Sequence, residues 1–252
     1  MNDDFKNQLH DLGLNPGDVV LMHSSMKALG TAKTPAEFIE DVISVIGPEG
    51  TLLMPALTYE DVTARHPHFK ARETEPCIGL LPRTFFHMPG VIRSLHPTHS
   101  VCAFGKKAAE LTSGHIMDET PVGSNSPFMK ILEHGGTLLF IGDVLNSCTF
   151  MHGVEEIAGA PYTLKKERTH YIIEDVNGII IEKDMYAHDF KGIKQEYRRI
   201  REILEYPDIR TGKVGNADCY LINASRLLEK AKEKFNENPF YFVIRTSELF
   251  HN

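Results

Sequence analysis

The stretch from Gly135 to Ala158 constrains this chain most. Thr137 to Ile141 is a short apolar run opened by Gly135-Gly136 and closed by Gly142-Asp143, the pattern of a buried strand. From Thr149 the spacing changes: Phe150, Met151, Val154 and Ile157 recur at helical intervals, with Asn146, Ser147 and Thr149 as candidate caps. A strand that runs through a polar loop into a helix calls for a sheet with helices packed on it. His152 and Glu155 are three residues apart, so they share one face of that helix. Such a pair is either a general base with its partner or an ordinary surface pair, and spacing alone leaves both open.

The same alternation opens the chain. Phe5 to Leu12 reads as an amphipathic helix stopped at Gly13, and Asp18 to Met22 as a strand. Thr34-Pro35 caps and starts a helix through Ile46, and Thr51 to Met54 is a second strand. Tyr59 to Pro76 shows little periodicity and is expected to be a long surface loop. Leu80 to Phe86 is a short helix, Val101 to Phe104 a third strand, and Phe128 to His134 a helix after a turn-rich loop. Beyond Pro161, Asn177-Gly178 between β-branched runs predicts a hairpin. Ile193 to Leu204 reads as a charged amphipathic helix, and Gly212 to Ile222 as a glycine-punctuated loop entering a strand. The expected architecture is one compact α/β domain over residues 1–252. It has a mainly parallel central sheet flanked by helices and a β-hairpin excursion.

A hydrophobic fraction of 42% over 252 residues supports a real core. The net charge of −7 gives no reason to expect nucleic acid or an anionic membrane as partner. The acidic, polar start at Met1 and the lack of any apolar run near twenty residues point to a cytoplasmic protein. Cys77, Cys102, Cys148 and Cys219 are scattered, without a Cys-x-x-Cys pair, as reduced thiols would be.

Four motifs bear on chemistry. His23-Ser24-Ser25-Met26-Lys27-Ala28-Leu29-Gly30 follows a predicted strand, where α/β sheets bind ligands, although it is not a Walker loop. His96 and His99, with His115 or His152, suggest a zinc site, and hence a hydrolase as a third reading. The proline after His96 and the lack of a His-Glu-x-x-His cluster argue against it, so no metal is expected. Cys148, four residues before His152, has the position of a nucleophile, but a small buried cysteine is the commoner case. Gly123 to Pro127 and Gly212 to Gly215 are polar loops that say little alone.

Taken in order, these pieces resemble the aminoglycoside 3-N-acetyltransferase family, the antibiotic N-acetyltransferases. The matching segments are His23 to Gly30, Gly50 to Pro55, Arg93 to Ser100 with Gly105, Thr120-Pro121 with Ser126-Pro127, Leu139 to Gly142, Thr149 to Glu155, and Gly212 to Ala217. The resemblance implies acetyl transfer from acetyl-CoA to an amine. It puts the family's helical base on His152 with Glu155 as companion, and Thr149 near the thioester oxygen. An ammonium cannot attack a thioester, and histidine titrates near neutrality, so the assignment is chemically sensible. The resemblance also places CoA along Ser24, Ser25, Met26, Lys27, Leu29 and Gly30, near Ser100 and Ser126, with Lys27 and Arg93 as phosphate partners. It implies an acidic acceptor pocket, for which Glu60, Asp61, Asp143, Glu155, Asp175 and Asp189 are candidates alongside Asn146. Asn146 stands where drug-modifying members often have Asp. The acceptor is then an aminoglycoside, a related amino sugar or another small amine metabolite. A homodimer is a further expectation, from the prevalence of twofold assemblies.

Overall fold

The computed structural model describes residues 4–246. Met1, Asn2 and Asp3, the start of the acidic N-terminus, lie outside the described residues. The strands are β1 (Val19–Ser24), β2 (Thr51–Pro55), β3 (His68–Lys70), β4 (Ile92–Arg93), β5 (Val101–Gly105), β6 (Thr137–Ile141), β7 (Leu164–Glu174), β8 (Ile180–His188), β9 (Ile193–Gln195), β10 (Ile209–Val214), β11 (Ala217–Asn223) and β12 (Val243–Arg245). The helices are α1 (Phe5–Leu12), α2 (Met26–Leu29), α3 (Pro35–Ile46), α4 (Leu80–Phe86), α5 (Ala108–Ser113), α6 (Pro127–Lys130), α7 (Phe150–Ala158), α8 (Ile200–Ile203) and α9 (Ala224–Glu237).

Seven strands form one sheet in the order β10-β11-β6-β1-β2-β5-β4. Its central strands are almost wholly apolar and alternate sides, as a sheet buried on both faces requires. Leu21, Leu53 and Phe140 face a core closed by α5, α6, α7 and α9. Val20, Leu52 and Leu139 face the opposite core, closed by α1, α3 and α4. The predicted start of α3 holds: the Thr34 hydroxyl accepts from the Glu37 N–H, the Glu37 carboxylate accepts from the Thr34 N–H, and Pro35 opens the helix.

The α/β class and the hairpin stand as expected, but parallel pairing is confined to the centre. β1 pairs in parallel with β2 and β6, whereas β11 on β6, β10 on β11, β5 on β2 and β4 on β5 are antiparallel. Short connections join β10 to β11 and β4 to β5, whereas β5 and β11 return to the sheet antiparallel after long excursions that hold other elements.

Three segments differ from their sequence reading. Within Tyr59 to Pro76, β3 adds in parallel to β7, and Val62, Phe69 and Ala71 are buried with Tyr171, Ile173 and Met185. The segment is therefore not a plain loop: it supplies the edge strand of a three-stranded sheet, β3-β7-β8, and buries those three side chains, while most of its other residues stay exposed. Ile193 to Leu204 is not one helix: β9 pairs antiparallel with β12, and only the single turn of α8 follows a 3₁₀ turn. Gly212 to Ile222 is a β10-β11 hairpin rather than a loop entering a strand. The hairpin predicted at Asn177-Gly178 is present and longer than expected, with Gly178 at φ +82°, a conformation that favours glycine.

Candidate active site

A cleft of roughly 670 Å³ opens beyond the carboxyl ends of β1 and β2. The first turn of α7 forms one side, and the ends of the β7-β8 hairpin close it. Where strands of an α/β sheet end is where ligands bind. Helix α7 reaches this position because Gly153 has no side chain. A Cβ there would stand 2.8 Å from Val122 Cγ1 and closer still to Met129 Sδ.

His152 lies in that first turn and lines the cleft. Its Nδ1 is 3.1 Å from Glu155 Oε2 and 2.8 Å from the Tyr197 hydroxyl. Glu155 is fully buried, and its other oxygen accepts from the Tyr162 hydroxyl at 3.1 Å. An ionised carboxylate only accepts, so its contact puts the ring hydrogen on Nδ1 and leaves the Nε2 lone pair free. Burial and the neighbouring Glu155 hold the Tyr197 phenol well above its ordinary range, so it keeps its hydrogen and donates it to the Glu155 carboxylate rather than to the protonated Nδ1.

Other histidines crowd the same wall. His188 lies with its ring centroid 4.9 Å from that of His152, and its Nε2 is 2.9 Å from Glu156 Oε1. His188 Nδ1 is 3.2 Å from His99 Nε2. His23 stacks on Phe140, and its Nε2 accepts the Thr149 N–H at 3.1 Å. Burial holds His99 and His188 well below the ordinary histidine value and takes His23 down to about 3, so these three rings are neutral. Burial also lifts Glu156 to about 7, leaving the His188–Glu156 contact largely uncharged.

The sequence candidates divide by place. Thr149, His152, Ser24 and Asn146 line the cleft, with Glu155 directly behind His152. The Ser24 hydroxyl is buried without a protein partner among the described residues. Ser25 begins α2 and Met26 is half-buried; Lys27 and Gly30 are exposed, and Leu29 is packed into the core. Ser100 and Ser126 are both fully buried and do not line the cleft. The Ser100 hydroxyl donates to Ala56 O and accepts from Arg93 Nε. Arg93 is not placed as a phosphate partner. Its guanidinium is buried between the Phe69 and Phe86 rings and donates to the carbonyls of Ala56, Ala71 and Thr74. Glu60, Asp61 and Asp189 are exposed outside the cleft lining, and Asp143 is paired with Arg198 at 2.9 Å.

The histidines weighed as metal ligands do meet, despite Pro97. His96 Nδ1 accepts from the N–H groups of Thr98 and His99, and its ring stacks 4.8 Å from His115. Both nitrogens of His99 and of His115 have hydrogen-bond partners, and of these three rings only His96 has a nitrogen, Nε2, without one among the described residues, so they do not offer a set of free ligands. Cys148 is buried, and its thiol is pushed up to about 12, unlike a nucleophilic thiolate. Tyr197, Tyr162 and His188 escaped the sequence reading. Tyr197 and His188 belong to distant segments that only the fold brings to His152, and Tyr162 folds back on Glu155 from just beyond the end of α7.

A cleft at the strand ends, lined by an imidazole that a buried carboxylate fixes from behind, is the arrangement of an α/β enzyme. Residues 21–236 match the family model of the aminoglycoside 3-N-acetyltransferases. The chain belongs to that family and is an acyltransferase. It is similar to an aminoglycoside N(3)-acetyltransferase III of Serratia marcescens, with 31% identity over 253 residues, covering 87% of this chain and 91% of that protein. Two solved structures share the fold. One is a histidine-to-alanine mutant of AAC(3)-IVa in complex with a gentamicin (TM-score 0.81, 27% identity, 95% of this chain and 89% of that one). The other is a binary complex of AAC-IIIb with CoASH (TM-score 0.80, 25% identity, 92% of this chain and 95% of that one).

Proposed function

We propose that this protein transfers an acetyl group from acetyl-CoA to the amine of an amino sugar or aminoglycoside, with His152 as the general base. Family membership and the CoASH-bound and gentamicin-bound relatives support the reaction class. The observation that carries the residue assignment is the fixed Nδ1 of His152, which leaves Nε2 at the cleft.

Bound acetyl-CoA supplies an electrophilic thioester carbon, and the chain's residues do the rest. His152 Nε2 takes the proton from the acceptor nitrogen as that nitrogen bonds to the acyl carbon. Glu155 holds the imidazole in the required tautomer and stabilises its charged form, with Tyr197 and Tyr162 fixing the carboxylate. When the carbon–sulfur bond breaks, the same nitrogen returns its proton to the departing thiolate. The Thr149 hydroxyl, at the cleft and making no capping bond, is the donor suited to the carbonyl oxygen. The loop assigned to CoA runs from Ser24 through Ser25, Met26 and Lys27 to Gly30: Ser24 lines the cleft with a hydroxyl that has no partner among the described residues, and the exposed Lys27 follows it outside the lining.

Thiol release from acetyl-CoA, measured over a panel of aminoglycosides and amino sugars, tests the reaction. In His152→Ala, kcat/KM should drop by about 10² to 10⁴, the usual worth of a positioned base, while titration calorimetry still detects CoA. Full turnover in that variant would remove His152 from the mechanism.

A further inference from the structure

The charge on the cleft wall bears on which amine it accepts. Among the described residues lining the cleft there is no Asp or Glu, and the fixed cation is Lys165. Glu155 and Glu156 stand behind their histidines, Asp143 is engaged by Arg198, and Glu60, Asp61 and Asp189 are exposed outside the lining. The rings of His23, His99 and His188 are neutral and add no charge of either sign. The remaining wall near the base is uncharged: Asn146 and Thr149 are polar, and Phe190 packs against the His152 ring.

Lys165 is an exposed residue on the cleft lining, in the strand that flanks His188. Leu164, its neighbour, pairs with His188, whose ring touches that of His152. The register slips between Leu164 and Arg168, so Lys165 sits in a bulge, a feature that re-aims side chains. No carboxylate among the described residues pairs with its ammonium.

We propose that the preferred acceptor carries one ammonium and an acid group, carboxylate or phosphate, which Lys165 holds while His152 deprotonates the amine. The inference rests on the acetyl-transfer reading above and narrows its substrate. A polycationic aminoglycoside would set its additional ammonium groups against a wall with a like charge and no buried counter-charge, a mismatch that costs affinity. Lys165 and the acids Glu60, Asp61 and Asp189 are all exposed, so what separates them is position: the lysine lines the cleft and the acids do not.

The test is thiol release from acetyl-CoA with four acceptors: glucosamine 6-phosphate, glucosaminate, glucosamine and kanamycin. At least one of the two acidic amines should exceed both glucosamine and kanamycin in kcat/KM by about tenfold, the worth of a modest charge contact; which one wins distinguishes phosphate from carboxylate. Lys165→Met should erase that advantage. Lys165→Glu should lower the acidic acceptor further and raise kanamycin, leaving the KM for acetyl-CoA unchanged. Kanamycin preferred over both acidic amines would overturn the proposal while leaving acetyl transfer intact. So would a Lys165→Glu effect confined to the KM for acetyl-CoA, which would assign the lysine to the CoA phosphates. Silence with all four acceptors would count against the acetyl-transfer reading itself, and the narrower inference would fall with it.

Discussion

Two adjacent glutamates on α7 serve different histidines. Glu155 turns to His152 and Tyr162, whereas Glu156 accepts from the Val122 N–H and meets His188. The second pair has a consequence for stability. Burial lifts Glu156 from the ordinary carboxyl range to about 7, so between those values the folded protein holds a proton that the unfolded chain has released. Stability from this group is therefore greatest at low pH and is lost as the pH rises toward 7. Glu156→Gln should remove the dependence. Urea unfolding at pH 5, 6 and 7 should show the wild type losing up to about 1.4 kcal/mol per pH unit relative to the variant. Asp18 and Asp118, also raised by burial, are present in both proteins and cancel in the difference. Parallel curves would mean that Glu156 is ionised throughout. At this scale the sequence showed only what local spacing can show. His152 and Glu155 are legible because a helix puts residues three apart together. Tyr197 reaches the same nitrogen from 45 residues away, and nothing in the intervening chain signals the meeting.

Elements were legible where one period dominates. β6 and α7 announced themselves by a clean change from an apolar run to helical spacing. Ile193, Tyr197, Ile200 and Leu204 imitate a helix by their intervals of three and four, yet Ile193 pairs with Arg245 of β12, a partner that local pattern cannot supply. Tyr59 to Pro76 misled differently: its many charged residues hid Val62, Phe69 and Ala71, the ones that are buried. Arg93 is what ties that segment down, since two of its three carbonyl acceptors, Ala71 and Thr74, lie within it. Arg93→Leu keeps an apolar stem between Phe69 and Phe86 but strands those acceptors. The variant should lose about 3 kcal/mol or more in urea unfolding, the cost of several unsatisfied buried groups. Because Tyr59, Thr63 and Ala64 line the cleft, the KM for the acceptor should rise as well. A variant of wild-type stability would show that the segment holds without its anchor.

The whole molecule is a three-layer body with a small sheet leaning on it, and the cleft lies where the two meet. The large cores on either face of the seven-stranded sheet are separate from the satellite cluster of Val62, Phe69, Ala71, Tyr171, Ile173 and Met185. That cluster is small, so the β7-β8 hairpin should open more easily than the main sheet, as weakly packed units do. The hairpin also supplies Lys165, His188 and the neighbouring Phe190 to the cleft, which makes its docking a condition for binding the acceptor but not for holding the base. Met185→Ala removes a fully buried side chain from the cluster, at a cost of about 2–5 kcal/mol for such a truncation. Amide exchange should then quicken across residues 164–188 while β1, β2 and β6 keep their protection, and the KM for the acceptor should rise several-fold with CoA binding unchanged. If exchange instead quickened evenly through both sheets, the hairpin and the main body would be one cooperative unit, and the cleft would have no independently movable wall.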